Sequence, residues 1–459
     1  MSVDSALKET SMNMDANEGQ LKRTLKLRHV IFIGLAYMAP LAVFDTFGIV
    51  SDITNGHVPA AYILITIAVL FTAYSYGRMV KVYPTSGSAY TYTRKTMNSY
   101  LGFMVGWVAL LDYIFLPMIN ALLSSIYLAA VFPNVPPWIW VFATIIITTG
   151  LNLADIKLAV IVNYFMVIIE FLVAILFVVF TIRGIINAED GKLFSAAPFF
   201  SGEMSFSAIF AGASILALSF LGFDAVTTLS EETIEPKKTI PKAIFVIAFV
   251  AGIFFIGVTY FMQSLFPDIS VIENIAGASP EIAKYIGGAL FQAIFIAGYL
   301  VAVLACGLTQ QMSASRLLFA MGRDGVLPKK FFGYIHPRTG VPILNILLIG
   351  LLACSAMFLD LSRAASLINF GAFIAFSFVN LSVIMFFLKH QKQRDFTVKT
   401  IISSIILPLV GVGFNLYLWF ELEFSAKIIG FIWAAIGIMY LLRVTKFFRV
   451  QPPQFNENK

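Results

Sequence analysis

Twelve stretches of this chain run apolar for about the thickness of a bilayer with few or no charges inside them, and little freedom of fold remains. They fall near 29–51, 60–83, 100–131, 137–153, 157–186 and 206–229, then 240–266, 286–320, 341–359, 363–388, 400–420 and 427–448. Each can cross a membrane as a helix, which satisfies its own backbone hydrogen bonds where no water is available. Their separators carry turn residues, such as Asn55-Gly56, Pro136-Pro137, Pro236 and Pro267. Composition agrees: 59% of the 459 residues are hydrophobic and 12% charged, against about 45–50% and about 25% in a soluble domain. A soluble fold is excluded. The predicted class is an all-α polytopic membrane protein of twelve transmembrane helices with no sizeable soluble domain.

The formal charge of +6 would suit a nucleic-acid partner only if it were clustered, and it lies in loops between apolar runs. No nucleic-acid binding is expected. Residues 1–28, with Lys22, Arg23, Lys26 and Arg28 just before the first run, read as a cytoplasmic tail and not as a cleaved signal. With that end inside, only Arg183, Lys192, Lys284, Arg363 and Lys427 of the 31 basic residues fall outside, as the positive-inside rule requires. Residues 449–459 then form a second cytoplasmic tail, and the outer segments, rich in Asp and Glu, carry a weak attraction for cations.

Enzymatic and metal chemistry find no support. Cys306 and Cys354 sit in apolar runs without disulfide or metal-ligand spacing, and His29, His57, His336 and His390 fall at run ends or in loops. No cofactor is expected.

Four acids remain inside the runs: Asp45, Asp112, Glu170 and Asp224. Each costs about 2.5–3.5 kcal/mol at a helix centre on the insertion scale, and no Lys or Arg lies deep enough to pair them. Unmatched intramembrane acids suit protons or organic cations better than anions, although a protonated carboxyl bonded to a neighbouring helix is the plainer reading of each one. Two of them sit in interrupted stretches, GLAYMAPLAVFDTFG (34–48) in the first run and SFLGFDAVTTLSEE (219–232) in the sixth. Either interruption alone is ordinary helix packing. At corresponding places of two halves they mark a transporter with its site near mid-membrane.

The chain from about 22 to 448 resembles the amino acid, polyamine and organocation permease superfamily. The resemblance is carried by PTSGSAYTYTRK (84–95), by SFLGFDAVTTLSEE with EPKKTIPKAI (235–244), and by SASRLLFAMGRDGVLPKKFFGYIHPRTGVP (313–342). Within it, AYMAPLAVFDTFGIVS (36–51), GWVALLDYIFLPMIN (106–120) and INFGAFIAFSFVNLS (368–382) are most similar to bacterial putrescine importers. The resemblance implies a 5+5 inverted-repeat, LeuT-like core over 29–388 with helices 1 and 6 broken, and two extra helices over 389–448. It implies an inner-membrane carrier working by alternating access, with substrate between runs 1, 3, 6, 8 and 10. Amino-acid carriers of the superfamily usually place a glycine-rich, carboxylate-binding break in the first run. Here that stretch reads Met38, Ala39, Pro40, Leu41, Ala42, followed by Asp45, which argues for a diamine over an α-amino acid.

A diamine needs separated acceptors around a short apolar slot. Asp45, Asp112 and Asp224 can supply them, Asp45 being the discriminating residue, and the rings of Tyr37, Tyr113, Phe220 and Phe223 can cover the methylenes with cation–π attraction of roughly 0.5–2 kcal/mol each. Glu170, where several relatives resemble one another in carrying a Lys, is the candidate for proton coupling. Glu231 and Arg316 are candidates for a cytoplasmic gate, against the plainer reading of solvated loop charges. The expected partners are a small cationic substrate, protons and the lipid bilayer. An amino acid/proton symporter or exchanger is the alternative within the superfamily, and a cation channel or membrane-embedded enzyme the alternatives outside it.

Overall fold

The computed structural model describes residues 23–452 apart from 85–87, 155–156, 189–191, 203, 324, 338–340 and 391–396, with the side chains of 36, 154, 157–164, 166, 231 and 320 also outside the description. Most of both expected tails therefore lies outside the described residues. All twelve apolar runs are helical. The elements are α1 (Leu27–Met38), α2 (Phe47–Ile53), α3 (Val58–Val82), α4 (Ser88–Thr96), α5 (Ser99–Val131), α6 (Pro137–Ala154), α7 (Lys157–Asn187) and α8 (Phe206–Leu216). They continue with α9 (Pro236–Leu265), α10 (Ala278–Arg323), α11 (Lys329–Phe332), α12 (Ile343–Ala353), α13 (Leu361–Lys389), α14 (Val398–Ile401), α15 (Leu407–Phe420) and α16 (Phe424–Val444). Among the described residues ten helical segments are long and apolar enough to cross a membrane, and two shorter ones, Pro137–Leu153 and Ile343–Phe358, occupy the fourth and ninth runs.

The first and sixth runs are broken where the sequence suggests. In the first, Ala39 takes φ 49 and the chain continues as a 3-10 turn, Pro40–Phe44, before α2 begins. Pro40 has no N–H to donate to the preceding turn, so the α-helix ends there. In the sixth, α8 tightens into a 3-10 turn over Ala217–Phe220, Leu221 is extended, and Gly222 takes φ 104 before a second 3-10 stretch, Ala225–Glu231. Only glycine suits Gly222: its backbone is left-handed, and a Cβ there would collide with the ring of Tyr37. The two breaks are thus packed on one another. A third interruption is absent from the apolar pattern: Gly288, at φ 71, divides α10 into a short leading helix and the long membrane helix.

Helix pairings recur in matched form. The broken runs meet each other, α3 packs along α9, and α5 along α10. Helix α5 is flanked by α13 as α10 is flanked by α7; α6 lies against both α5 and α10, and α12 does the same. Helices α15 and α16 pack on α13. Large apolar side chains stand exposed along α7, α15 and α16, among them Leu172, Ile175, Leu409, Phe431 and Met439, as expected of surfaces that face lipid tails.

Candidate functional site

Tyr37, at the end of α1, lies between two cavities. The smaller, about 50 Å³, is walled by both breaks together with α5 and α10, and Asp45 is the acid that lines it. Among the described residues no Lys or Arg lines it. Tyr299 Oη on α10 donates to Asp45 Oδ1 at 2.5 Å, and the Tyr299 ring stacks on that of Tyr127, centroids 4.0 Å apart. The acid is held from behind as well. The carbonyl of Phe44 accepts from Tyr127 Oη and from Ser279 Oγ, both at 2.8 Å, while the Phe44 ring packs against Phe177 and Phe295. Ser219 of the sixth run donates to the Ala42 carbonyl at 3.2 Å and shares a hydrogen bond with Tyr62. Across the pocket Asn120 Nδ2 donates to Gln310 Oε1, and Gln310 Nε2 to Cys306 Sγ.

The larger cavity, about 520 Å³, holds Asp112, Tyr113 and Asp224 along with Tyr37. Tyr76 Oη donates to Asp224 Oδ2 at 3.0 Å. Asp112 lies within electrostatic reach of Asp224, and its buried Oδ1 has no hydrogen-bond partner among the described residues. The far wall comes from α13 through Ala372, Ala375 and Phe376, and Ser88, Thr91, Arg316 and Arg323 also line the cavity. These last positions belong to the segments that carry the basic residues, so the cavity extends toward that face.

The structure therefore brings Asp112, Tyr113 and Asp224 together and sets Asp45 in the adjoining pocket, with Tyr37 common to both. Phe220 and Phe223 line neither cavity. Both are buried in the core, Phe220 against Tyr62 and Phe255, Phe223 against Tyr76 and Phe376. Glu170, 3% exposed on α7, lies behind the first break, where the Leu41 backbone N–H faces its carboxyl and Asp45 is within electrostatic reach. Its Oε2 is buried without a hydrogen-bond partner among the described residues. None of the four acids forms an ion pair with Lys or Arg among the described residues. Arg316 is exposed; the side chain of Glu231 lies outside the described residues. Among the described residues no cluster of His, Cys, Asp and Glu has the makings of a metal site.

Tyr299, Tyr127, Ser219, Asn120 and Gln310 carry no sequence signal of a site role. A lone polar side chain within an apolar run was their available signal, and ordinary helix packing gives the same one.

The amino acid permease family model matches residues 29–450. The low-affinity putrescine importer PlaP of Escherichia coli strain K12 is 45% identical over 439 residues, covering 95% of this chain and 97% of that protein. The methylthioribose transporter of Bacillus subtilis is 25% identical, covering 94% of this chain and 95% of its own length. The branched-chain amino acid permease BcaP of the same organism is 26% identical, with 92% and 93% covered.

Proposed function

Because this chain belongs to the amino acid permease family, whose members compared above are transporters and not enzymes, we propose that it is a secondary transporter that imports a diamine, putrescine foremost. The observation that carries this reading is the small pocket at the paired helix breaks, with the Asp45 carboxylate inside it and no basic side chain in its wall among the described residues. A primary ammonium fits that chemistry: it needs acceptors, and a charge-assisted bond to a carboxylate is about twice as strong as a neutral one. Tyr299 aligns the acid through one oxygen. The second ammonium is taken by Asp112 or Asp224 in the larger cavity, with Tyr37 and Tyr113 against the methylenes.

Alternating access follows from the same geometry. The larger cavity extends toward the basic face, which the positive-inside rule makes cytoplasmic, along with both termini; this is an inward-facing form. On the other side, Phe44, Phe177, Phe295, Tyr127 and Tyr299 close over Asp45. Support for two inverted repeats of five helices comes from the matched pairings: exchanging runs 1–5 with 6–10 carries the α5–α13 contact onto α10–α7 and the α5–α12 contact onto α10–α6. It also carries the short helix α4 ahead of α5 onto the short helix ahead of Gly288 in α10. Helices α15 and α16, the eleventh and twelfth crossings, lie outside the repeats.

A dication is drawn into a negative-inside cell by about 2.3 kcal/mol per charge per 100 mV, so coupling serves steeper accumulation. Glu170 is the proton carrier in this reading, since it faces the first break beside Asp45 and its free oxygen is buried. Arg316 and Glu231 act at the cytoplasmic mouth. The test is uptake of labelled putrescine by purified protein in liposomes, competed with diamines and amino acids, with and without protonophore. Saturable uptake blocked by diamines supports the reading. Uptake of a neutral amino acid with indifference to diamines overturns it in favour of an amino acid symporter.

A further inference from the structure

A second cavity on the basic face lies away from the transport path. It measures about 200 Å³ and is lined by Arg78 and Lys81 from the end of α3 and by Val383, Phe386 and Phe387 from the end of α13. The eleventh run meets it through Arg78. Between α14 and α15 the chain makes a π turn, Ile402–Ile406, and Arg78 reaches it: Nη1 donates to Ser403 Oγ at 3.4 Å and Nη2 to Ser404 Oγ at 2.8 Å. Two neutral hydroxyls thus fix the guanidinium. Among the described residues neither Arg78 nor Lys81 forms an ion pair with a carboxylate.

We infer that this cavity binds the phosphate headgroup of an anionic phospholipid. A guanidinium has five N–H donors in a fixed fork, and the serines engage two of them here, so donors remain for a second, anionic acceptor. Phosphate oxygens match that fork and gain from the added charge of Lys81, three residues along the same helix. The rest of the wall among the described residues is apolar, which a free phosphate ion does not use and the glycerol and upper acyl chain of a lipid do. Leu388, Val398 and Ile402, on the helices around the cavity, are exposed, as on a lipid-facing surface. Basic pockets between membrane helices on the cytoplasmic side are where anionic headgroups are held, and π turns often mark such functional places. The site joins the second, tenth and eleventh runs, so an occupied headgroup ties the core helix α3 to α13, which walls the transport cavity.

The test uses the full-length protein in phosphatidylcholine vesicles with and without phosphatidylglycerol. Phosphatidylglycerol retained on the extracted protein is counted by native mass spectrometry, and unfolding temperature is read in both vesicles. The wild type retains the anionic lipid and is stabilised by it. Lys81→Gln, a change at an exposed side chain, lowers retention about fivefold, and Arg78→Gln with Lys81→Gln lowers it at least about tenfold and removes the stabilisation. Arg78→Lys, which keeps the charge, retains lipid better than Arg78→Gln. Equal retention by wild type and Lys81→Gln overturns the inference, as does displacement of the lipid by inorganic phosphate, which would mark a site for the free ion.

Discussion

Gly222→Ala probes the contact on which the two breaks depend. The residue has φ 104, and a Cβ there would meet the Tyr37 ring. Holding alanine in a left-handed conformation costs roughly 1–2 kcal/mol, and forcing one methyl into an occupied volume costs about 1–3 kcal/mol more. The smaller freedom of alanine in the unfolded chain offsets about 0.4–1 kcal/mol of this. The net expectation is a destabilisation of about 1–5 kcal/mol. Because Tyr37 lines both cavities, surviving protein should also bind substrate less well. Gly257, with no atom within 4 Å of its would-be Cβ, is the control inside α9, and alanine there should be neutral or stabilising by up to about 1 kcal/mol. Adding Tyr37→Ala to Gly222→Ala should recover the steric share and leave the backbone strain. Unfolding in detergent and putrescine uptake in liposomes read both effects. Equal stability and uptake for the Gly222 and Gly257 variants would refute the proposed packing of the breaks.

Tyr299→Phe removes the donor to Asp45 while keeping the ring stacked on Tyr127, and putrescine affinity should fall by about tenfold, within the range for a hydrogen bond to a charged group. Titration calorimetry on the purified variant checks it; an unchanged constant means that Tyr299 does not position the acid. Asp112→Asn keeps the shape of the larger cavity and lowers its negative charge. Uptake of diamines should drop more than that of any monoamine, measured by competition in the same vesicles. Glu170→Gln should leave substrate binding intact and abolish the response of uptake to an imposed pH gradient. A variant with the gradient response of the wild type places coupling elsewhere.

The membrane helices were legible because apolar runs between charged loops leave a chain few alternatives, and each of the twelve runs is helical. The breaks were legible too, through Pro40 and the Gly222-Phe223-Asp224 step. What the sequence hid is direction. Beyond Leu216 the chain enters 3-10 turns with three residues per turn, then an extended residue, so the 3.6-residue rule for sharing a face no longer applies. Phe220 and Phe223 stand beside an acid in sequence and yet turn into the core. Asp45 and Asp224 likewise occupy equivalent breaks but line different cavities, with Tyr37 in the wall of both. Gly288 stood out less, because the Gly287-Gly288 pair opens an apolar run and glycine is frequent in membrane helices.

The most direct measurement compares putrescine with n-butylamine, which has the same carbon chain and a single ammonium, in equilibrium binding to the wild type and to Asp45→Asn. If Asp45 receives one ammonium and the larger cavity the other, the wild type prefers the diamine by about tenfold or more, and the variant binds both amines alike. A variant that keeps the full preference for putrescine would contradict the assignment of Asp45.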